Sequence, residues 1–323
     1  MDANEYLGQA IQWYPGHMTK TKRMMNENLS LVDVVIELID ARIPFSSKNP
    51  DIDELAKNKF RIIILNKTDL ADDKATEIWK SYYEAKGFKV IKANSLKGVG
   101  IGLVTDAAKE LMSEKIKRQR ERGRLFVPIR AMIAGIPNVG KSTFINRYVG
   151  KVTAKTGDKP GVTRGKQWIR IKKDIELLDT PGILWPKFDD REVGLKLAFI
   201  GSINDDIVDL EGLASSLIGL LEERVPGAVA KRYAVDIEGS DTAHVILEKI
   251  ARARGFVSKG GQLDLMRTSK ILLDEFRGGK IGKITLELPE DIKTMAENTK
   301  KDIEAKKRTD SKRRKEYRNK SED

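Results

Sequence analysis

The first residues whose types and spacing suggest chemistry are Gly135-Ile136-Pro137-Asn138-Val139-Gly140-Lys141-Ser142. They follow an apolar run over 125–134 and open a helical pattern over 143–148. Strand, glycine loop, helix is the context that a phosphate loop requires. The glycines let the backbone curl so that its N–H groups point inward at an anion. The helix behind adds unpaired N–H groups and the positive end of its dipole. Lys141 is placed to reach the β- and γ-phosphates, and the Ser142 hydroxyl to join Mg²⁺. Pro137, Asn138, Val139, Gly140 and Thr143 complete the predicted phosphate-side contacts.

Asn66-Lys67-Thr68-Asp69 bears on the choice of base. The Asp69 carboxylate is an acceptor pair that matches two neighbouring donors of guanine, the ring N1–H and the exocyclic amine. Adenine offers a bare acceptor there, and an unpaired buried polar group costs about 1–3 kcal/mol. Asn66 suits the six/seven edge of the base, and the Lys67 stem can lie along the ring. Asn94 and Ser95 fit the remaining base-contacting turn, where a backbone N–H can meet the guanine carbonyl. Asp179-Thr180-Pro181-Gly182 supplies a carboxylate for Mg²⁺ through water and the Gly182 N–H for the γ-phosphate. Thr163 is the expected second hydroxyl on Mg²⁺, with Thr153 and Thr156 in the same loop as alternatives.

These residues need a sheet to hold them. The runs 32–39 and 60–65 are rich in β-branched residues and read as strands buried on both faces. Further strands are expected over 88–93, 168–171 and 175–178, and helices over 51–57, 75–86 and from about 101. Strands alternating with helices predict an α/β fold with a parallel sheet, and every motif falls where a strand ends, at the edge where ligands bind. From about residue 190 the spacing turns helical, over 195–203, 207–225, 242–254 and 263–278, predicting a smaller all-helical domain. The expected organisation is an arm over 1–18, a nucleotide-binding domain over 19–189, helices over 190–290 and a basic tail over 291–323.

Lys and Arg number 60 against 48 Asp and Glu, a surplus of 12 that favours a polyanionic partner. There is no cysteine, so disulfide frameworks and thiolate metal sites are excluded. No apolar run approaches a membrane span, and the first residues lack signal-peptide order. A cytoplasmic protein, monomeric when free, is expected.

The order of the motifs is informative. A phosphate loop ordinarily precedes its guanine box; here Asn66–Asp69 and the Asn94-Ser95 turn come first, and Asp179–Gly182 last. The domain reads as circularly permuted, with the charged segment 115–124 joining the old termini. In this order, and with Trp13-Tyr14-Pro15-Gly16-His17-Met18, Asp40-Ala41-Arg42-Ile43-Pro44 and Pro160-Gly161-Val162-Thr163, the chain resembles the circularly permuted ribosome-assembly GTPases of the YlqF/RbgA family over nearly its whole length. The resemblance implies GTP and GDP as ligands and binding to the large ribosomal subunit and its rRNA late in assembly.

Ile183 occupies the position where Ras-like enzymes carry a water-orienting Gln. The resemblance implies that His17 takes that role when the ribosome docks; a turn-holding histidine is the alternative. Asn138 resembles the asparagine of K⁺-activated GTPases, with loop shaping as its alternative. Two other functions remain open at this level: a metabolic or metal-delivery NTPase acting on a protein client, and an RNA-binding module that needs GTP only to fold.

Overall fold

The computed structural model describes residues 27–150, 167–171, 174–179, 191–258 and 260–292. Its centre is β1 (Val34–Asp40), in which every residue is buried. With β2 (Phe60–Asn66), β3 (Lys89–Lys92), β4 (Ile129–Gly135), β5 (Gln167–Ile171) and β6 (Ile175–Asp179) it forms one sheet in the order β3-β2-β1-β4-β6-β5. All neighbours pair parallel except β5 and β6. An interior parallel strand is covered on both faces, which is why β1 reads as an almost unbroken apolar run. Its residues divide by alternation: Ile36 and Leu38 join the core with Ile62, Val104, Ile133 and Phe144, while Ile39 packs on the other face with Ile63 and Trp79.

The helices start where capping chemistry places them. In α1 (Pro50–Leu55) the Asn49 side chain accepts from the Asp51 N–H, with Pro50 in the first turn. In α2 (Asp73–Ala85) the Asp72 carboxylate accepts from the Ala75 N–H at 2.7 Å, and the helix buries Trp79 and Tyr83 against the sheet. After β3 come α3 (Leu103–Leu111) and α4 (Ser113–Glu121), the second with no buried residue. The phosphate-loop helix is α5 (Lys141–Val149).

The later helices are α6 (Arg191–Phe199), α7 (Leu210–Arg224), α8 (Ala228–Tyr233), α9 (Ala243–Arg254) and α10 (Leu265–Arg277). Helix α7 packs against the other four. Phe199, Leu217 and Leu273 of this layer share one continuous core with Phe144 and Ile133 of the sheet layer. Beyond α10 the chain returns to the sheet: the Ile284 N–H donates to the Leu70 carbonyl at 3.0 Å and the Leu286 N–H to the Arg42 carbonyl at 2.8 Å. The buried Glu287 carboxylate then accepts from the Phe45 and Ser46 N–H groups at 2.5 and 2.8 Å and lies 3.4 Å from the Lys196 ammonium.

Several boundaries differ from expectation by a few residues, helix α6 among them (Arg191–Phe199 against 195–203), and one helix was not expected. Strand β4 starts at Ile129, not 125, because Leu125 stands 100% exposed outside the sheet. Helix α5 starts at Lys141, two residues before the apolar pattern, since the end of the phosphate loop is already its first turn. Helix α7 starts at Leu210 behind the Asp209 cap, and Asp205–Ile207 forms a separate 3₁₀ turn. Helix α8 was not legible: it is six residues long, between left-handed Gly227 and Ala234. Among the described residues no helix is long and apolar enough to cross a membrane.

Candidate nucleotide-binding site

Asp40, Asn66, Gly135 and Asp179 are the last residues of β1, β2, β4 and β6. The registers Asp40↔Asn66, Leu38↔Gly135 and Ile133↔Asp179 bring them to one edge of the sheet. Three motifs far apart in sequence therefore meet at a single row of carboxyl ends.

Asn66 joins two of them. Its side-chain N–H donates to the Val139 carbonyl of the phosphate loop at 2.8 Å, and its Oδ1 accepts from the Ser95 N–H at 3.1 Å and the Ser95 hydroxyl at 2.8 Å. An amide nitrogen has two N–H groups, so one stays available to a base. The turn after β3 is tied by the Asn94 side chain, which accepts from the Lys97 N–H at 2.9 Å. Ser95 being committed to Asn66, the Leu96 N–H is the turn donor with no acceptor among the described residues. Thr68 secures the Asn66–Asp69 segment from below: its N–H and hydroxyl both reach the Ala93 carbonyl at 3.2 Å.

Lys67 adopts a left-handed conformation, φ 59°, that turns its side chain across the site. Its ammonium donates to the Asn138 carbonyl at 2.6 Å and lies 3.1 Å from the Asp40 carboxylate. Burial, joined by the nearby Arg42 charge, lowers the Lys67 pKa against the opposing pull of Asp40. At Asp40 the balance runs the other way: burial raises the carboxyl, but Arg42 and then Lys67 hold it well below the usual carboxylate range. Arg42 grips both Asp40 oxygens, Nε at 2.9 Å and Nη2 at 2.8 Å. Asp69 stands partly exposed beside Lys67, whose charge it favours.

The phosphate loop turns at two left-handed residues, Asn138 (φ 59°) and Gly140 (φ 96°). A side chain at Gly140 would place its Cβ 2.6 Å from the Asn66 amide nitrogen, so glycine here serves the contact as well as the turn. Helix α5 begins with no side-chain cap hydrogen bond, leaving its first turn to an anion. Lys141 is buried in that turn, with Ser142 and Thr143 half-buried behind it. The loop is also held from behind: the Asn138 side-chain N–H donates to the Gly201 carbonyl at 2.5 Å, and the Ser202 hydroxyl to the Pro137 carbonyl at 2.7 Å.

The described residues thus bring together Asn66, Lys67, Thr68, Asp69, Asn94, Ser95 and 137–143. The Asp179 backbone lies at the end of β6, beside the strand that leads into the phosphate loop. His17, Thr163 and Gly182 lie outside the described residues, as do the arm and the tail from residue 293. His244, the other histidine, is exposed on α9, 3.6 Å from Glu248. The sequence reading gave no role to Asp40, Arg42, Gly201 or Ser202. The available signal was an acid and an arginine two apart at the end of a strand as buried as the guanine-box strand.

A family model described as "50S ribosome-binding GTPase" matches residues 130–220. The match starts in β4, so the guanine box at Asn66 lies outside it. A ribosome biogenesis GTPase A of Bacillus cereus is 46% identical over 291 residues, spanning 90% of this chain and 98% of that protein. The protein of that name from Thermotoga maritima is 32% identical over 282 residues, 87% and 96% of the two chains. The GDP-bound structure of Thermotoga maritima YlqF superposes with a TM-score of 0.59 at 28% identity, covering 83% of this chain and all of that one. The GNP-bound form superposes with a TM-score of 0.57 at 29% identity, covering 84% of this chain and 99% of that one.

Proposed function

The chain belongs to the ribosome biogenesis GTPase A family, and from that membership we propose that it binds the large ribosomal subunit late in its assembly and leaves when GTP is hydrolysed. It is a GTPase, with GTP and GDP as ligands and a circularly permuted nucleotide domain. The observation that carries the site assignment is the Asn66 amide, which holds the base-reading strand end against the phosphate loop at Val139.

In this reading the second Asn66 N–H meets the six/seven edge of guanine, the Lys67 stem lies along the ring, and Asp69 accepts from the ring N1–H and amine. Thr68 fixes the box, Asn94 and Ser95 shape the turn, and the Leu96 N–H meets the base carbonyl. Lys141 and the 137–143 backbone hold the phosphates. Ser142, Thr163 and Asp179 serve Mg²⁺, and the Gly182 N–H the γ-phosphate. Asn138, the residue that resembles the asparagine of K⁺-activated GTPases, would serve K⁺. Residues 19–189 form the nucleotide domain, and the helices over 190–290 with the 291–323 tail meet rRNA in the cytoplasm.

Hydrolysis is slow in the free protein and is stimulated by the subunit, with His17 placing the water. The test is GTP turnover with and without purified large subunits, for wild type and His17→Ala. The variant should keep nucleotide affinity and subunit cosedimentation and lose most of the stimulation, on the order of 10²-fold or more. Normal stimulation in His17→Ala would remove the histidine from the mechanism. No stimulation of wild type would remove the subunit as activator.

A further inference from the structure

Lys67 belongs to a circuit of polar contacts that leaves the nucleotide site, passes through the helical layer and returns. From the Lys67 ammonium it runs to Asp40 at 3.1 Å, and from Asp40 to the Arg42 guanidinium at 2.8 Å. Arg42 is 1% exposed, lies 5.5 Å over the Phe276 ring and donates through Nη1 to the Arg277 carbonyl at 3.2 Å. The Arg277 guanidinium carries the circuit onward to the end of α6: Nε to the Phe199 carbonyl at 3.0 Å and Nη2 to the Ala198 carbonyl at 2.9 Å. Asp205 holds the outer edge of that guanidinium at 2.7 and 2.8 Å. After Ile200 come Gly201 and Ser202, which hold Asn138 and Pro137 of the phosphate loop. The Asn138 carbonyl then accepts from Lys67, closing the circuit at 2.6 Å.

We propose that Arg277, remote from the nucleotide, is a positioning residue for guanine-nucleotide binding: its guanidinium acts through the 198–202 turn on Asn138 and so on Lys67, while its main-chain carbonyl holds Arg42 beside Asp40. The proposal rests on the reading of Lys67 and the phosphate loop as nucleotide ligands. Two features favour positioning over simple packing. Lys67 and Asn138 are both held in left-handed backbone, which persists only where surrounding contacts over-determine it. The guanidinium also makes four hydrogen bonds at once, to the Phe199 and Ala198 carbonyls and to both Asp205 oxygens, one more than the three N–H groups of an ammonium could donate.

The test is a double-mutant cycle on the full chain, with GDP affinity read by calorimetry and thermal midpoints recorded without nucleotide. Arg277→Gln should weaken GDP binding about tenfold. If Arg277 acts through Lys67, Arg277→Gln combined with Lys67→Met should weaken binding by less than the product of the single effects, by a factor of about three or more. Wild-type affinity in Arg277→Gln, whatever its thermal midpoint, overturns the proposal, and so do effects that multiply. If Arg277→Gln does not fold, Asp205→Asn, which loosens the same guanidinium from its outer side, goes through the same cycle under the same criteria. Unchanged GDP affinity in Lys67→Met would overturn the base-site reading itself, and the proposal with it, a result distinct from a loss that merely multiplies.

Discussion

Gly140 does two jobs at one Cα. Its φ of 96° costs any L-residue strain, and its missing Cβ lets the Asn66 amide reach Val139. Gly140→Ala should therefore damage base and phosphate recognition together. GDP affinity should fall by more than about tenfold, with stability lower by about 1–2 kcal/mol from the backbone alone; calorimetry and urea unfolding check both. The glycine was legible as part of a phosphate loop, but its contact with Asn66 was not, because the two residues are neighbours only once β2 and β4 flank β1. Asp40 was legible only as a strand end. Its folded pKa is depressed, so its contribution to stability is complete above the unfolded value, near 4, and is lost as pH falls through the folded value. Urea midpoints of wild type should drop below about pH 4 more steeply than those of Asp40→Asn, which cannot titrate. Parallel profiles would show that the ion pairs around Asp40 contribute nothing over that range.

The strands were the most legible elements, because a strand covered on both faces must be apolar along its whole length. Helix α8 was the least legible: six residues carry too little periodicity, and its limits are set by left-handed residues that α7 and α9 hold in place. Helix α4 was legible as charged, and the structure gives it nothing buried. It leads from the β1–β3 half of the sheet to the β4–β6 half, and the parallel β1–β4 pairing holds those halves together independently of it. A protease site inserted after Gly123, then cleaved, should leave one folded particle that binds GDP within about threefold of the uncut protein. Separation of the fragments on a sizing column would show that the covalent link is needed.

At the scale of the molecule, the return of the chain over 284–287 decides how firmly the helices are seated. Glu287 is 1% exposed and answers two backbone N–H groups, the Ser46 hydroxyl and the Lys196 ammonium, itself 4% exposed. Glu287→Gln keeps the shape but removes the carboxylate charge that faces the buried Lys196 ammonium, which also lies 3.7 Å from Glu192. Breaking a buried pair in this way should cost about 3 kcal/mol, read as a lower urea midpoint. An unchanged midpoint would mean that the return segment lies on the sheet without fastening it. None of this was visible in the sequence, since Glu287 and Ser46 are 241 residues apart.

The permuted order also sets a schedule. During synthesis the strand end bearing Asn66 emerges first, the phosphate loop follows, and Arg277 and Glu287 come last. At roughly 5–20 residues per second, the interval between Asn66 and Arg277 is about 10–40 s. Through the first part of that interval β1 has an open edge, because its partner β4 has not yet been made. A nascent chain stopped short of Ser202 lacks the groups that hold Pro137 and Asn138, even with every phosphate-loop residue already translated. If those groups seat the loop as proposed, nucleotide capture waits on chain completion, until the Arg277 carbonyl has met Arg42.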